Sequence, residues 1–359
     1  MRRFARWITV LAVAAALISA APTGPAAAAG VKAVRVANGL NVPIGFTFLP
    51  DGRLAYLERQ TGWLRFRNLQ TDTDHRIYRI GNVDSSGERG ALGVAVHPDW
   101  PSSPFVYAYA TRNTANGLRN QVLRIRVENG QATAVRVLLS AAAGPASNHN
   151  GGRIAFGPDG KLYVVIGDNA EPSNSQDRTK NLRGKILRIN PNGSIPATNP
   201  FGNRIWAFGI RNSFGFTFDP LTDRFWESEN GPECNDEVNR IVRGGNFGWG
   251  PRENCPHTNN SGPRPRIRPR YTFAGQKGLT GAAFCRGCGL GAGYEGDLLI
   301  GAVNDGIIRR FNLNGTRKDV AGGPVVVVDQ PGSVISLEVA PNGRIFFSDF
   351  GAIYRLAPA

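Results

Sequence analysis

Phe156-Gly-Pro-Asp-Gly-Lys-Leu-Tyr-Val164 joins a tight turn to the start of an apolar run, and the chain repeats that phrase along its length. It returns as Phe48-Leu-Pro-Asp-Gly-Arg-Leu-Ala-Tyr56, Val96-His-Pro-Asp-Trp100, Phe218-Asp-Pro-Leu-Thr-Asp-Arg-Phe-Trp226 and Val339-Ala-Pro-Asn-Gly-Arg-Ile-Phe-Phe347. A degenerate copy, Tyr294-Glu-Gly-Asp-Leu-Leu-Ile300, fills the long gap before the last. Pro followed by Asp-Gly or Asn-Gly is turn chemistry, because glycine accepts the positive φ of a tight hairpin. The residues after each turn alternate or run apolar, as strands packed between sheets do.

The phrases recur at mostly about fifty to sixty residues, the size of one four-stranded propeller blade with generous loops. Six phrases imply an all-β, six-bladed propeller of four-stranded antiparallel blades. Gly and Pro interrupt every candidate amphipathic helix. A β-sandwich is the rival architecture, but it predicts no single hairpin phrase at so regular a period, and radial closure explains how so many strands avoid exposed edges. The expected organisation is an export signal over 1–29 and one propeller domain over 30–359.

The export reading rests on Arg2, Arg3 and Arg6, the apolar run from Trp7 to Ala20, and the small-residue tract Pro25 to Gly30. A membrane anchor is the alternative, but the run is short for a span. General export predicts a secreted protein with no membrane span. The formal net charge is +15, and the three arginines of the signal carry no acid beside them, which leaves +12 for the remainder. Such a balance suits anionic partners, including a small trianionic cofactor. The densest basic run, Arg264-Pro-Arg-Ile-Arg-Pro-Arg270, cannot be helical and has no aromatic platform beside it. It reads as a solvated loop in preference to a nucleic-acid patch.

Cys234, Cys255, Cys285 and Cys288 are an even set in an exported chain, which favours disulfides. Local pairing joins Cys234 to Cys255 and Cys285 to Cys288. A four-thiolate zinc site is the rival, but it lacks the usual second CxxC.

Two segments carry candidate chemistry. Ser147-Asn-His-Asn-Gly-Gly-Arg-Ile-Ala-Phe156 sets His149 just before a strand, and Val164-Val-Ile-Gly-Asp168 returns a carboxylate from the next. A hairpin can bring the two to one rim as a base and its orienting acid; the plain alternative is a loop histidine and a turn-forming aspartate. The second segment runs through Phe208 to Phe216, Ser228 to Asn239 and Gly244 to Gly250, and is dense in Asn, Asp, Glu and Gly-Pro carbonyls. These are hard oxygen donors of the kind calcium prefers, although loop capping accounts for part of them.

The ordered set Gly87 to Pro98, Asn148 to Arg153, Leu182 to Asn190, Gly193 to Phe201, Arg211-Asn212, Gly231-Pro232, Asp236-Glu-Val-Asn239 and Gly245 to Trp249 resembles the soluble pyrroloquinoline quinone (PQQ)-dependent glucose/aldose sugar dehydrogenases, which are six-bladed propellers. The resemblance implies oxidation of the anomeric hydroxyl of an aldose to a lactone, with hydride transfer to PQQ, Ca²⁺ dependence and an external electron acceptor. It makes His149 the general base, Asp168 its orienting acid, Arg211 the residue against the quinone oxygens, Asn212 a cofactor contact and Glu88 a substrate contact. The carbonyls of Gly231 and Pro232 would hold the calcium at PQQ, and those of Glu237 and Phe247 a structural one.

The chain also departs from that pattern. Basic residues that grip the carboxylates of PQQ in the family are replaced here by Asn304, Ser333 and Ile335, and a polar contact two residues after Asn212 by Phe214. Arg89 and Arg112 are offered by charge type alone as substitutes. The second reading is therefore a non-catalytic, calcium-stabilised propeller that binds a carbohydrate or protein ligand; a third, a calcium-dependent lactone hydrolase, lacks clustered metal-binding side chains.

Overall fold

The computed structural model describes residues 30–329 and 332–359; the segment 1–29 expected to be an export signal lies outside the described residues. The described residues form six four-stranded antiparallel sheets arranged as the blades of a propeller. The first strand, β1 (Val31–Ala37), belongs to the last blade. Blade one is β2 (Gly45–Phe48), β3 (Leu54–Leu57), β4 (Trp63–Arg67) and β5 (Asp74–Arg79). Blade two is β6 (Ala91–Val96), β7 (Phe105–Thr114), β8 (Gly117–Glu128) and β9 (Gln131–Ala142). Blade three is β10 (Ile154–Phe156), β11 (Leu162–Ile166), β12 (Lys185–Ile189) and β13 (Ile205–Phe208). Blade four is β14 (Ser213–Phe218), β15 (Phe225–Glu229), β16 (Glu237–Ile241) and β17 (Tyr271–Thr272). Blade five is β18 (Leu279–Phe284), β19 (Leu298–Ala302), β20 (Ile307–Phe311) and β21 (Val325–Asp329). Blade six is β22 (Ser336–Val339), β23 (Ile345–Ser348) and β24 (Ile353–Pro358), completed by β1, which pairs Val34 with Arg355. An N-terminal strand finishing the C-terminal blade closes the ring by hydrogen bonds.

Every repeat of the phrase falls between the first and second strands of a blade, and its chemistry is visible there. In blade three Gly160 takes φ +67°, its N–H reaches the Gly157 carbonyl at 2.9 Å, and Asp159 Oδ1 accepts the Lys161 N–H at 3.1 Å. Asp51 receives the Arg53 N–H at 3.0 Å and Asn342 the Arg344 N–H at 3.2 Å in the same way. The aspartate or asparagine thus caps the turn by accepting the amide two residues on, and the glycine supplies the backbone that β-substituted residues resist.

The strands that follow are apolar on both faces because each blade packs between two others. Leu162, Val164 and Ile166 of β11 face blade two, whereas Tyr163 and Val165 face blade four. One apolar cluster fills each junction between neighbouring blades. Nearer the axis the first strands approach backbone to backbone. A Cβ at Gly215 would lie 2.0 Å from the Thr280 carbonyl of the next blade, and one at Gly93 2.1 Å from the Gly152 carbonyl. Gly215→Ala is expected to cost about 1–3 kcal/mol through overpacking. Gly275→Ala, whose Cβ meets nothing within 4 Å, is expected to stay within about 0.5 kcal/mol of the parent; urea denaturation of the two variants makes the comparison.

Candidate active site

A cavity of about 470 Å³ opens at the end of the axis where the first strands begin, and all six blades contribute to its wall. Blades one to three supply Arg59, Glu88, His149 and Arg153; blade four supplies Arg211, Asn212, Phe214 and Gly231. Blades five and six supply Asn304 and Ile335.

The β10–β11 hairpin joins the two ends of the proposed acid–base pair, with His149 Nδ1 2.7 Å from Asp168 Oδ1. Asp168 is fully buried, and its remaining partners come from neighbouring chain and the next blade: the Ala170 N–H at 2.8 Å on Oδ1, and the Trp249 indole N–H at 2.7 Å on Oδ2. A carboxylate accepts, so the ring proton of His149 resides on Nδ1. His149 Nε2 has no hydrogen-bond partner among the described residues.

His149 itself takes φ +56°, an uncommon backbone for a residue with a side chain. Three contacts hold it there. Glu88 Oε2 accepts the His149 N–H at 2.6 Å, and Asn169 donates to the His149 carbonyl from its N–H at 3.0 Å and its Nδ2 at 2.9 Å. Glu88 Oε2 also accepts from Asn212 Nδ2 at 3.1 Å, so this carboxylate ties blade two to blades three and four at the cavity wall.

Arg211 lies over the Trp249 ring, its guanidinium 5.3 Å from the ring centroid, and Nη1 donates to the Asn230 carbonyl at 2.9 Å. Burial disfavours its charge, opposed by the Asp168, Glu229, Glu88 and Asp236 carboxylates. Arg211 Nε and Asn212 Oδ1 are buried and have no partner among the described residues.

The residues singled out in the sequence therefore separate into two groups. His149, Asp168, Arg211, Asn212, Glu88 and Gly231 meet at or beneath the cavity. Pro232 follows Gly231 but does not line it, and Glu237 lies under a separate depression beside Arg264, Arg266 and Arg268. Phe247 is buried in the junction between blades three and four. Both expected disulfides, Cys234–Cys255 and Cys285–Cys288, are present, so the sulfurs are not free for zinc.

The uncharged wall formed by Asn304 and Ile335 is real, but the suggested substitutes are not at the cavity. Arg89 spends Nη2 on the carbonyls of Gly144, Pro145 and Ala146, and Arg112 is bound to the Gly81 carbonyl and Gln121. The cations that do line the cavity are Arg59, Arg153 and Arg211. Arg59 and Arg153 went unread, although Arg153 closes the quoted Asn148 to Arg153 motif. Trp249 was also inside a quoted motif, but nothing local signals that its indole reaches an aspartate 81 residues away.

Comparison with known proteins gives the family of this six-bladed propeller. The chain belongs to the Glucose / Sorbosone dehydrogenase family, whose profile matches residues 40–354. It is 31% identical over 245 residues to quinoprotein glucose dehydrogenase B of Acinetobacter calcoaceticus, covering 60% of this chain and 51% of that protein. An uncharacterised Synechocystis protein is 33% identical over 244 residues, a match spanning 59% of its length. The aldose sugar dehydrogenase YliI of Escherichia coli is 25% identical over 354 residues, with 93% and 94% coverage. Among solved structures, the PQQ-bound aldose sugar dehydrogenase of Streptomyces coelicolor superposes with a TM-score of 0.79 at 28% identity, over 93% of this chain and 99% of that one.

Trp249→Phe tests the packing of the pair without touching the cavity. It leaves Asp168 Oδ2 buried without its donor, and the expected loss is about 1–3 kcal/mol of folding free energy in urea denaturation.

Proposed function

We propose that the chain is an exported, Ca²⁺- and PQQ-dependent aldose dehydrogenase that oxidises the anomeric hydroxyl of a sugar to the lactone and passes the electrons to an external acceptor. The observation that carries this reading is the His149–Asp168 pair held at the cavity wall. The basic segment and apolar run of residues 1–29 support export, and two disulfides suit an oxidising compartment.

The donor set fits the cofactor. The side chains of Arg211 and Asn212 line the cavity, and the Gly231 carbonyl is a hard donor for calcium. Arg59 and Arg211 supply positive charge for a trianion from blades one and four, whereas Arg153 is paired with Glu338 at 3.3 Å and donates from Nε to the Phe214 carbonyl at 3.0 Å. PQQ, when bound, supplies a two-electron acceptor for the hydride on the anomeric carbon.

The remaining steps belong to the chain. Asp168 fixes the His149 ring with Nδ1 protonated, so Nε2 receives the proton of the anomeric hydroxyl as the C–O bond becomes C=O. The buried carboxylate then stabilises the imidazolium. Arg211 is placed to offset negative charge that develops on the cofactor side. Glu88 holds the strained His149 backbone, which keeps the ring aimed at the substrate rather than relaxing into the loop.

Reconstitution of the purified protein with PQQ and Ca²⁺, followed by dye reduction with a panel of aldoses, tests the proposal. His149→Ala is expected to lower kcat by about 10²- to 10⁴-fold with PQQ still bound. Arg59→Leu is expected to weaken PQQ binding by about 10- to 100-fold, the loss of one charge-assisted contact. Absence of both PQQ binding and sugar-dependent reduction at saturating PQQ would reject the enzyme reading, and sugar binding without reduction would favour a carbohydrate-binding propeller.

A further inference from the structure

The long connection from β16 to β17 builds a second concave surface on blade four, which the dehydrogenase reading does not use. It is a groove of about 940 Å³, with the run Arg264 to Pro269 on one side and Asn235 with Pro256 to Asn260 on the other. Backbone geometry aims its cations. The Ile267 N–H bonds the Asn246 carbonyl at 2.7 Å, and its side chain packs against the junction between blades three and four. Successive side chains of extended backbone alternate, so Arg266 and Arg268 turn away from that junction, and both line the groove. Arg264, on the bend just before them, lines it as well.

The loop holds its shape without these guanidiniums. Asn246 Nδ2 donates to the Ser261 carbonyl at 3.1 Å and the Pro263 carbonyl at 3.0 Å. On the facing side Asn235 Nδ2 donates to the Pro256 carbonyl at 2.8 Å, and the Cys234–Cys255 disulfide ties the segment to the blade. Arg266 spends one nitrogen on the Asn260 carbonyl. Arg264 and Arg268 are exposed and have no hydrogen-bond or ion-pair partner among the described residues.

Negative charge is scarce here. The lining holds a single carboxylate, Glu237, which is 4% exposed and has its oxygens on the Asn239 and Asn259 amides. Positive charge continues along the outer edge of the blade through Arg270 to Arg240, whose charge is disfavoured by burial and then by Arg270 and Arg224. Asp319, 3.6 Å from Arg270, offsets part of it. Like charges gathered in one concavity repel one another until an anion bridges them.

The chemistry of the lining narrows the anion. Guanidinium forks match the oxygens of a phosphate group. Between them Asn235, Thr258, Asn259 and Asn260 offer amides and a hydroxyl, which suit the hydroxyls of a sugar. No Phe, Tyr or Trp lines the groove, so it lacks the platform on which a base would stack. We propose that this groove binds a polysaccharide bearing phosphate esters, laid along the outer edge of blade four with its phosphates on Arg264, Arg266 and Arg268.

The test uses the full chain with neither quinone nor an electron acceptor present, so its failure leaves the dehydrogenase reading standing. Binding of a phosphomannan, and of the same mannan freed of phosphate, is measured by biolayer interferometry on immobilised protein. The expected result is saturable binding of the phosphomannan, with an affinity at least about tenfold above that of the phosphate-free chain. Arg264→Ala/Arg268→Ala removes two exposed, unpartnered cations and is expected to weaken phosphomannan binding by about tenfold or more. Lys32→Ala/Arg344→Ala removes the same charge from exposed positions on blade six and is expected to leave it unchanged. Equal binding of the two mannans, or an equal loss in the two double variants, overturns the proposal. Tighter binding of inorganic polyphosphate, polyglutamate or single-stranded DNA than of the phosphomannan overturns it as well.

Discussion

Six inner strands can share one axis only if their backbones meet without side chains between them, and this close approach governs the molecule. At Gly215 and Gly93 the neighbouring blade's carbonyl occupies the space a Cβ would need. Because the approach is so tight, the loops at the start of the strands are brought together into one wall. A cavity made from six blades is then a consequence of the packing, and its residues converge although they are hundreds of positions apart in the chain. The outer strands have more freedom, as the long β7, β8 and β9 of blade two show.

Within that frame Asp168 sets the chemistry. Its two oxygens are divided between His149 and Trp249, so one buried carboxylate orients the imidazole on the cavity side and the indole that lies beneath Arg211 on the other. Its own N–H donates to the Arg211 carbonyl at 2.8 Å, which joins blade three to the strand that brings the guanidinium. Imidazole and guanidinium are therefore positioned by the same group. Moving Asp168 would displace both, whereas a surface carboxylate would hold neither firmly against solvent screening.

Much of this was legible in the sequence where the physics is local. A Pro-Asp-Gly or Pro-Asn-Gly turn encodes its own capping, because the aspartate or asparagine accepts an amide two residues away; three such turns and three looser copies of the phrase counted the blades. The His149–Asp168 meeting was also legible, since a single hairpin separates them. What could not be read was set by contacts across the ring. Nothing in Val31–Ala37 alone says that it pairs with β24, and nothing around Trp249 names Asp168. Of the cationic residues of the cavity, Arg211 was read, and Arg59 was missed for the same reason. Arg59 follows the second strand of blade one, and only closure of the ring brings it to the wall shared with Arg211 and Arg153.

The distribution of charge around that wall has a directional consequence. Positive groups occur on blades one, three and four, and blades five and six contribute the uncharged Asn304 and the apolar Ile335. A planar anion entering such a cavity is drawn toward one side and is offered apolar contact on the other, so its orientation is biased before any reacting atom is engaged. Glu88 stands among the cations as a carboxylate, but both partners of its Oε2 are protein donors, the His149 N–H and Asn212. It is thus structural on that oxygen.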